Sequence, residues 1–274
     1  MKNIVSSILF IICLTGIQNL SGANITDTLR FEGLLSKAMV KEANINDSFI
    51  GSLDITRSKH ILLSTNSKMY LLGWGGLLPF GTSSDQKIDA FSINKEGFVI
   101  VVRDKGLCFM DSVGHYSRIV ALPNSDMGIT AGDSLLYIYD KNLPAKNSLY
   151  VVAKGGKYMK LFSSPSPFNA VIEANHDLIF ATGCAVFSLN PISGELKGLA
   201  SVGNGNNILS LAYDPQSKII FFSTKNAIYY IKKSTVYQLS NQYGGTLKFF
   251  LDGLIVFNPE TQTMLRLVGI SNQL

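Results

Sequence analysis

Residues 88–120 read IDAFSINKEGFVIVVRDKGLCFMDSVGHYSRIV and contain the repeating unit of the chain. The stretch holds four short runs rich in apolar and β-branched residues, at 88–93, 98–101, 107–110 and 116–120. Glycine, asparagine, aspartate or serine occurs in every gap between these runs, as is usual in turns. Short runs bounded by turn residues are typical of β-strands, and three tight gaps in a row predict an antiparallel meander of four strands.

The same unit recurs along the chain at an almost constant interval of 35 to 43 residues. The runs that correspond to the second strand begin at residues 61, 98, 135, 178, 219 and 254. A four-stranded repeat of about forty residues is typical of a β-propeller blade, so six repeats predict a six-bladed propeller. A right-handed β-helix is the structural alternative, but its coils need a shorter and more uniform spacing.

The two ends of the chain predict how the ring closes. The last unit offers only three strands, at 247–250, 254–257 and 264–267, while one spare strand, 28–32, precedes the first full unit near Phe49. Pairing the spare strand with the last unit would remove an open sheet edge. A pair of β-sandwiches would not predict this arrangement. The sequence therefore indicates an all-β, six-bladed propeller with four-stranded antiparallel blades, formed by residues 24–274 and closed by an N-terminal strand.

The first residues have the layout of a secretory signal peptide. A positive start at Lys2 precedes an apolar stretch at 4–17, and the small residues 21–23 follow as a cleavage site. A helix of 14 residues rises about 21 Å, which is short of a ~30 Å hydrocarbon core. We predict that residues 1–23 are removed. The remaining chain then has no transmembrane segment and is exported to the periplasm or the extracellular space.

Composition narrows the function classes further. Hydrophobic residues make up 46% and charged residues 16% of the chain, which excludes disorder because a large core can be buried. The net charge of +5 is spread along the sequence rather than clustered, so no nucleic-acid partner is expected. Cys108 and Cys184 remain after cleavage, and their positions in or beside strands predict buried free thiols. We expect a monomer with a protein or glycan partner.

The stretches 97–111, GFVIVVRDKGLCFMD, and 253–267, GLIVFNPETQTMLRL, resemble the blades of NHL-repeat propellers. They are similar also to gluconolactonase-type propellers of the calcium-dependent lactonase superfamily. The likeness extends over most of residues 28–270 and implies the same propeller fold. The lactonase resemblance further implies a Ca²⁺ ion at the channel mouth, held by carboxylate and asparagine oxygens, beside an acid/base residue.

The residues that best match such a calcium site lie in loops that lead into blades. We consider as candidate metal ligands Asn124, Asp126, Asn204 and Asn207, with Asn206 beside them and Glu42 near the first blade. Asparagine, glycine and aspartate are also the residues that turns favour, because they tolerate positive φ and bond their own backbone. A purely structural role in turns therefore stays open for each of them. We expect the protein to have no cofactor, with Ca²⁺ as the alternative.

Two aromatic residues in glycine-rich loops are candidate ligand contacts. Tyr243 lies in the loop 241–245, and Trp74, the only tryptophan, lies between Gly73 and Gly75. An exposed ring there can stack on a sugar or anchor a partner peptide, and it can equally cap its own blade. No nucleophile-elbow, P-loop or zinc-protease motif occurs. The sequence thus favours an exported, non-catalytic binding propeller with its ligand at the channel-mouth loops; the alternative is a calcium-dependent lactonase or sugar-acid hydrolase of the gluconolactonase type.

Overall fold

A computed structural model describes residues 30–270 except 74, 82–85, 134, 142, 144–146, 154 and 204. The predicted signal peptide, Trp74 and Asn204 therefore lie outside the described residues.

Six four-stranded antiparallel sheets form the six predicted blades, and the first strands of neighbouring blades contact one another around a closed ring. Blades 1 to 3 consist of β2 (Phe49–Ile55), β3 (Ile61–Thr65), β4 (Met69–Gly73), β5 (Gly76–Phe80), β6 (Ile88–Ile93), β7 (Val99–Arg103), β8 (Gly106–Met110), β9 (Tyr116–Ala121), β10 (Met127–Ala131), β11 (Leu136–Asp140), β12 (Asn147–Val152) and β13 (Tyr158–Ser164). Blades 4 and 5 consist of β14 (Ala170–Ala174), β15 (Asp177–Thr182), β16 (Ala185–Leu189), β17 (Leu196–Ser201), β18 (Ser210–Asp214), β19 (Ile219–Ser223), β20 (Ile228–Lys232) and β21 (Thr235–Ser240). Blade 6 consists of β22 (Thr246–Phe250), β23 (Gly253–Asn258), β24 (Thr263–Val268) and β1 (Arg30–Leu35).

Blade 6 confirms the predicted closure. Strand β1 pairs antiparallel with β24, from Arg30 opposite Val268 to Leu35 opposite Met264. The three C-terminal strands therefore receive their fourth strand from the N-terminal part of the chain. The sheet order β1-β24-β23-β22 leaves β1 at the outer edge, where the other blades place their own fourth strand.

A short helix, α1 (Lys37–Glu42), connects β1 to the first blade and was not predicted. Ser36 caps it, because its Oγ accepts a hydrogen bond from the Met39 amide at 3.4 Å. Val40 is its buried residue and packs into the apolar cluster between blades 6 and 1. The helix thus covers the joint of the ring.

Burial follows the strand order within each blade. All five residues of β3 and of β16 are buried, whereas the outer strands β9 and β13 are largely exposed or half-buried. Central strands lie between the faces of neighbouring sheets, which is why they are mostly apolar. Pro79 lies in the outer strand β5, where a missing backbone donor is tolerated.

Cys108 and Cys184 are the two cysteines in the described part of the chain, and no disulfide joins them. Cys108 is buried in β8, as expected, but Cys184 is only half-buried, because it lies in the turn between β15 and β16 rather than in a strand. Within the described part of the chain, no helix is long and apolar enough to cross a membrane.

Candidate functional site

The first strands of the six blades line a central channel that contains a cavity of about 130 Å³. We call the end where loops lead into these strands the loop face. The end where they turn into the second strands is the turn face. Every blade contributes to the cavity wall, so equivalent positions of the repeat can be compared directly around the ring.

Strand register identifies two rings of equivalent residues in the channel wall. One ring consists of residues that pack against the preceding blade, namely Leu53, Phe91, Ile129, Val171, Leu211 and Leu247. The next residues toward the turn face are Asp54, Ser92, Thr130, Ile172, Ala212 and Lys248. The first ring is apolar throughout, whereas the second contains polar residues in four blades and one positive charge, in blade 6.

That charge, Lys248, forms an ion pair with Asp54 across the joint between blades 6 and 1. The Lys248 Nζ lies 2.5 Å from Asp54 Oδ1, which also accepts the Ile55 amide at 2.8 Å. Asp54 Oδ2 accepts the Ser92 hydroxyl at 3.1 Å and the Ile93 amide at 2.8 Å. Only 7% of the Asp54 side chain is exposed, compared with 39% of the Lys248 side chain. The carboxylate is thus saturated with donors, while the ammonium borders open space.

Other polar groups of the channel wall join neighbouring blades. The Ser92 Oγ also accepts the Ala131 amide at 3.1 Å, and Ser210 Oγ accepts the Leu247 amide at 2.9 Å. The Thr246 hydroxyl donates to the Gly51 carbonyl at 2.7 Å. These side chains satisfy backbone groups that the sheets leave open, which gives them a structural role in addition to any contact with a ligand.

The candidate metal ligands that the structure describes lie in two separate loops. Asn124 and Asp126 precede blade 3, whereas Asn207 precedes blade 5, so that blade 4 intervenes. Asn124 donates to Asp140 Oδ1 at 2.8 Å, and Asp126 adopts a positive φ of 60° with its Oδ1 3.9 Å from the Lys141 Nζ. Those contacts are typical of loop residues. Whether these residues bind a metal stays a prediction.

The described residues do not fit a calcium site built on side-chain carboxylates. They contain no group of three or more His, Cys, Asp or Glu side chains that could hold a metal ion. Asp140 accepts the Ser148 amide at 2.7 Å in addition to Asn124, and Asp54 is saturated as described above. A Ca²⁺ ion requires six to eight oxygen ligands, and these two buried carboxylates already face hydrogen-bond donors.

The candidate aromatic contact Tyr243 packs against its own chain. Its ring lies 4.5 Å from the ring of Phe31 in β1, centroid to centroid, and its amide donates to the Ser240 hydroxyl. Tyr243 is half-buried beside the cluster between blades 5 and 6. A role in ligand binding is untested, and the structure adds a second role in fixing the closing strand.

Lys248 and Asp54 were not recognised from the sequence. Both residues lie inside strands, whereas the loops rich in asparagine and aspartate are the segments that stand out in the sequence. Lys248 is distinguished by being the one basic residue of its ring. That comparison depends on the strand register, which the apolar runs alone do not fix to one residue.

Solved structures with the same architecture include proteins of different function. A gluconolactonase of Xanthomonas campestris is 10% identical, with a TM-score of 0.68, covering 88% of this chain and 89% of that one. The calcium-binding protein regucalcin of Agrobacterium tumefaciens is 14% identical, with a TM-score of 0.63, covering 81% and 93%. The extracellular domain of a one-component system of B. thetaiotaomicron is 14% identical, with a TM-score of 0.56, covering 86% and 39%.

The likeness is one of fold. At these identities it confirms the six-bladed propeller fold that the sequence indicated, and it leaves the activity of this chain to be argued from its own residues. No protein-family model and no curated protein matches the sequence.

Proposed function

We propose that the protein binds a small, uncharged, polyhydroxylated molecule of the sugar or sugar-lactone class in its central channel. Lys248 carries this proposal: it places the one positive charge in a ring of the channel wall whose other members are Asp54, Ser92, Thr130, Ile172 and Ala212. The propeller folds with uncharged residues at four of these positions, so the repeat itself does not require the charge. A partly exposed ammonium can donate further hydrogen bonds to ligand hydroxyl or carbonyl oxygens.

The size and charge of the cavity support this class of ligand. Ligand pockets for drug-sized molecules measure about 300–1,000 Å³, so a cavity of about 130 Å³ suits a molecule no larger than a monosaccharide. Asp54 and Lys248 compensate one another within the described wall, which favours a neutral ligand over an anionic one. Ser52 and Thr130 add hydroxyl groups to the wall.

Calorimetric titration tests the proposal. D-glucose, D-galactose, D-mannose and D-xylose serve as neutral probes and D-gluconate as an anionic one. We expect saturable binding of at least one neutral sugar, weaker binding of gluconate, and a loss of about tenfold or more in affinity for Lys248→Met, equivalent to about 1.4 kcal/mol.

Lys225→Met is the matched control for this substitution. Its ammonium lies 2.8 Å from Glu260 on the surface, with about two thirds of each side chain exposed, and should not affect binding. Lys248→Gln provides a second, polar variant, and thermal unfolding shows that each variant is folded. Absence of saturable heat for every probe up to about 10 mM, or equal affinity of wild type and both Lys248 variants, would contradict the proposal.

Calcium-dependent hydrolysis of a sugar lactone is the second candidate function. The names of two structural neighbours support it, one a gluconolactonase and one a calcium-binding protein. Under this candidate, Asn124, Asp126, Asn204 and Asn207 remain the proposed ligands of the ion. A site occupied at a hundred times its dissociation constant stabilises the fold by about 2.7 kcal/mol, which raises the unfolding temperature by several degrees.

Thermal unfolding with excess calcium and with a chelator separates the two functions. A calcium-dependent rise that Asn124→Ala and Asn207→Ala abolish, together with hydrolysis of glucono-1,5-lactone, would favour the enzyme. Equal unfolding temperatures and no hydrolysis above the spontaneous rate would contradict it.

Export and partner binding complete the proposal. We infer that residues 1–23 direct export and are removed, and that the remaining monomer contacts a glycan or protein whose exposed sugar enters the channel. An N-terminus at Asn24 on protein recovered outside the cytoplasm would support export, and an intact Met1 would contradict it.

A further inference from the structure

The six apolar clusters between neighbouring blades are not filled alike. Five of them contain a fully or nearly fully buried aromatic ring, represented by Phe257, Phe91, Phe180, Phe222 and Phe221. The cluster between blades 2 and 3 has only aliphatic and methionine side chains among its buried members, which are Ala90, Ile100, Val102, Leu107, Leu122, Met127, Ile129, Ile138 and Val152. Its aromatic neighbours, Phe109, Tyr150 and Tyr158, are only half-buried.

A cavity of about 220 Å³ lies in this same interface. Four aliphatic side chains, Ile100 and Leu107 of blade 2 and Leu136 and Val152 of blade 3, contribute to its lining. We call it the wedge cavity. Protein interiors are normally packed as densely as organic crystals, so space of this size between two sheets calls for an explanation.

The wedge cavity is accessible from solvent. Ile119 and Leu135 at its rim are 40% and 45% exposed, and the turn at 155–156 forms another part of the rim. Gly156 has a φ of 80°, and a Cβ there would lie only 2.9 Å from the Ile119 carbonyl oxygen. Glycine therefore lets the turn approach the neighbouring strand while the cavity behind it stays open.

We propose that the wedge cavity binds a small molecule with a single planar aromatic ring and a neutral hydrogen-bonding group. In five interfaces of this protein, the described residues place a fully or nearly fully buried ring between two facing sheets, and in this interface they do not. Asn94, Lys95, Glu96 and Asp133 surround the rim with donors and acceptors for the polar group of the ligand. The ligand supplies the ring that the chain omits.

This site is independent of the central channel. It lies between blades rather than on the ring axis, and Asp54 and Lys248 are not among its lining residues. Its failure would leave the channel proposal unchanged, and the reverse also holds.

Phenol and indole are the probes, and cyclohexanol is the non-planar control of similar size. We expect phenol and indole to shift the methyl NMR signals of Ile100, Leu107 and Val152 saturably, and cyclohexanol to bind about tenfold more weakly or not at all. The unfolding temperature should rise with indole concentration, because the ligand binds only the folded chain.

Leu136→Phe fills the cavity from within and should raise the unfolding temperature while abolishing the indole-induced shift. Leu199→Phe is the matched control, since Leu199 is a half-buried leucine beside the cluster between blades 4 and 5, and its response to indole should equal that of the wild type. No saturable methyl shift in the wild type, or an equal response of Leu136→Phe and wild type, would overturn the proposal. Should Leu136→Phe not fold, the methyl shifts of the wild type decide alone.

Discussion

Two interfaces between neighbouring blades are packed differently: the one between blades 3 and 4 and the one between blades 2 and 3. In the first, Phe180 is fully buried and contacts the rings of Phe162, Phe168 and Phe187 at centroid distances of 5.3–5.5 Å. In the second, aliphatic residues leave a cavity of about 220 Å³. Because six interfaces share the stability of the ring, one can remain underpacked while the ring stays closed.

The same reasoning connects the interface to the channel. In a protein built from repeats, the fold requires what the repeats have in common, and a departure at one position has to be explained separately. Lys248 is the one basic residue of its ring, and the interface between blades 2 and 3 is the one whose described residues include no fully or nearly fully buried aromatic ring. Both departures border cavities, which is why we place the two binding proposals there.

Truncation of a core side chain should produce the largest difference between the two interfaces. Phe180→Ala should cost about 3–5 kcal/mol in the free energy of unfolding, because it removes a ring that three others contact. Ile100→Ala should cost about 2 kcal/mol, since one side of Ile100 already borders the wedge cavity. Chemical denaturation measures both values, and equal losses would show that the two interfaces are packed alike.

A substitution at Gly128 should have a smaller effect and tests how tightly blade 3 is packed around Tyr139, on the side that faces blade 4. A Cβ at this position would lie 2.2 Å from the ring of Tyr139, so Gly128→Ala should destabilise the protein by about 1–3 kcal/mol. Gly203→Ala is the control, because nothing lies within 4 Å of a Cβ there. A neutral Gly128→Ala in the same denaturation experiment would mean that the tyrosine ring moves freely.

Alkaline pH should weaken the interface between blades 3 and 4 gradually. Burial raises the pKa of Tyr137 to about 12, with further contributions from the charge of Glu173 and from a hydrogen bond to it. An unfolded tyrosine titrates near 10, so the stability that depends on neutral Tyr137 is intact below about pH 10 and is lost as the pH rises towards 12.

Unfolding temperatures at pH 9 and pH 11 measure this effect. Tyr137→Phe should reduce the difference between the two temperatures. Glu173→Gln should reduce it less, because burial, the largest cause, remains. An unchanged pH dependence in Tyr137→Phe would exclude this tyrosine as the source.

The fold could be predicted almost completely from the sequence, because each strand of the propeller corresponds to a short apolar run between turn residues. The predicted strand 88–93 matches β6, and the predicted three-strand end matches β22 to β24 within one residue at either end. The spare N-terminal strand was predicted to end at residue 32, three residues before the end of β1 at Leu35, and its predicted first two residues lie outside the described ones. Helix α1 was missed because six residues are too few to show a helical period.

The channel site could not be predicted in the same way. Lys248 cannot be told from the other lysines until the register identifies it as the one basic residue of its ring. Asp54 cannot be told from other aspartates until the closed ring brings blade 6 beside blade 1. Pairing across the joint depends on residues almost two hundred positions apart. Loop residues such as Asn124, by contrast, are readily picked out from the sequence as metal ligands, although a structural role in a turn is enough to explain why asparagine occurs there.

The central claim, that Lys248 contacts a neutral sugar in the channel, is tested most directly by NMR of the lysine side chains. In protein labelled with ¹⁵N-lysine, the Nζ signal of Lys248 is assigned with Lys248→Met and followed during titration with the sugar that calorimetry selects. We predict that this signal shifts saturably with the calorimetric dissociation constant, while the signal of the surface residue Lys225 stays in place. Saturable binding without any shift of the Lys248 signal would place the ligand elsewhere and contradict the account.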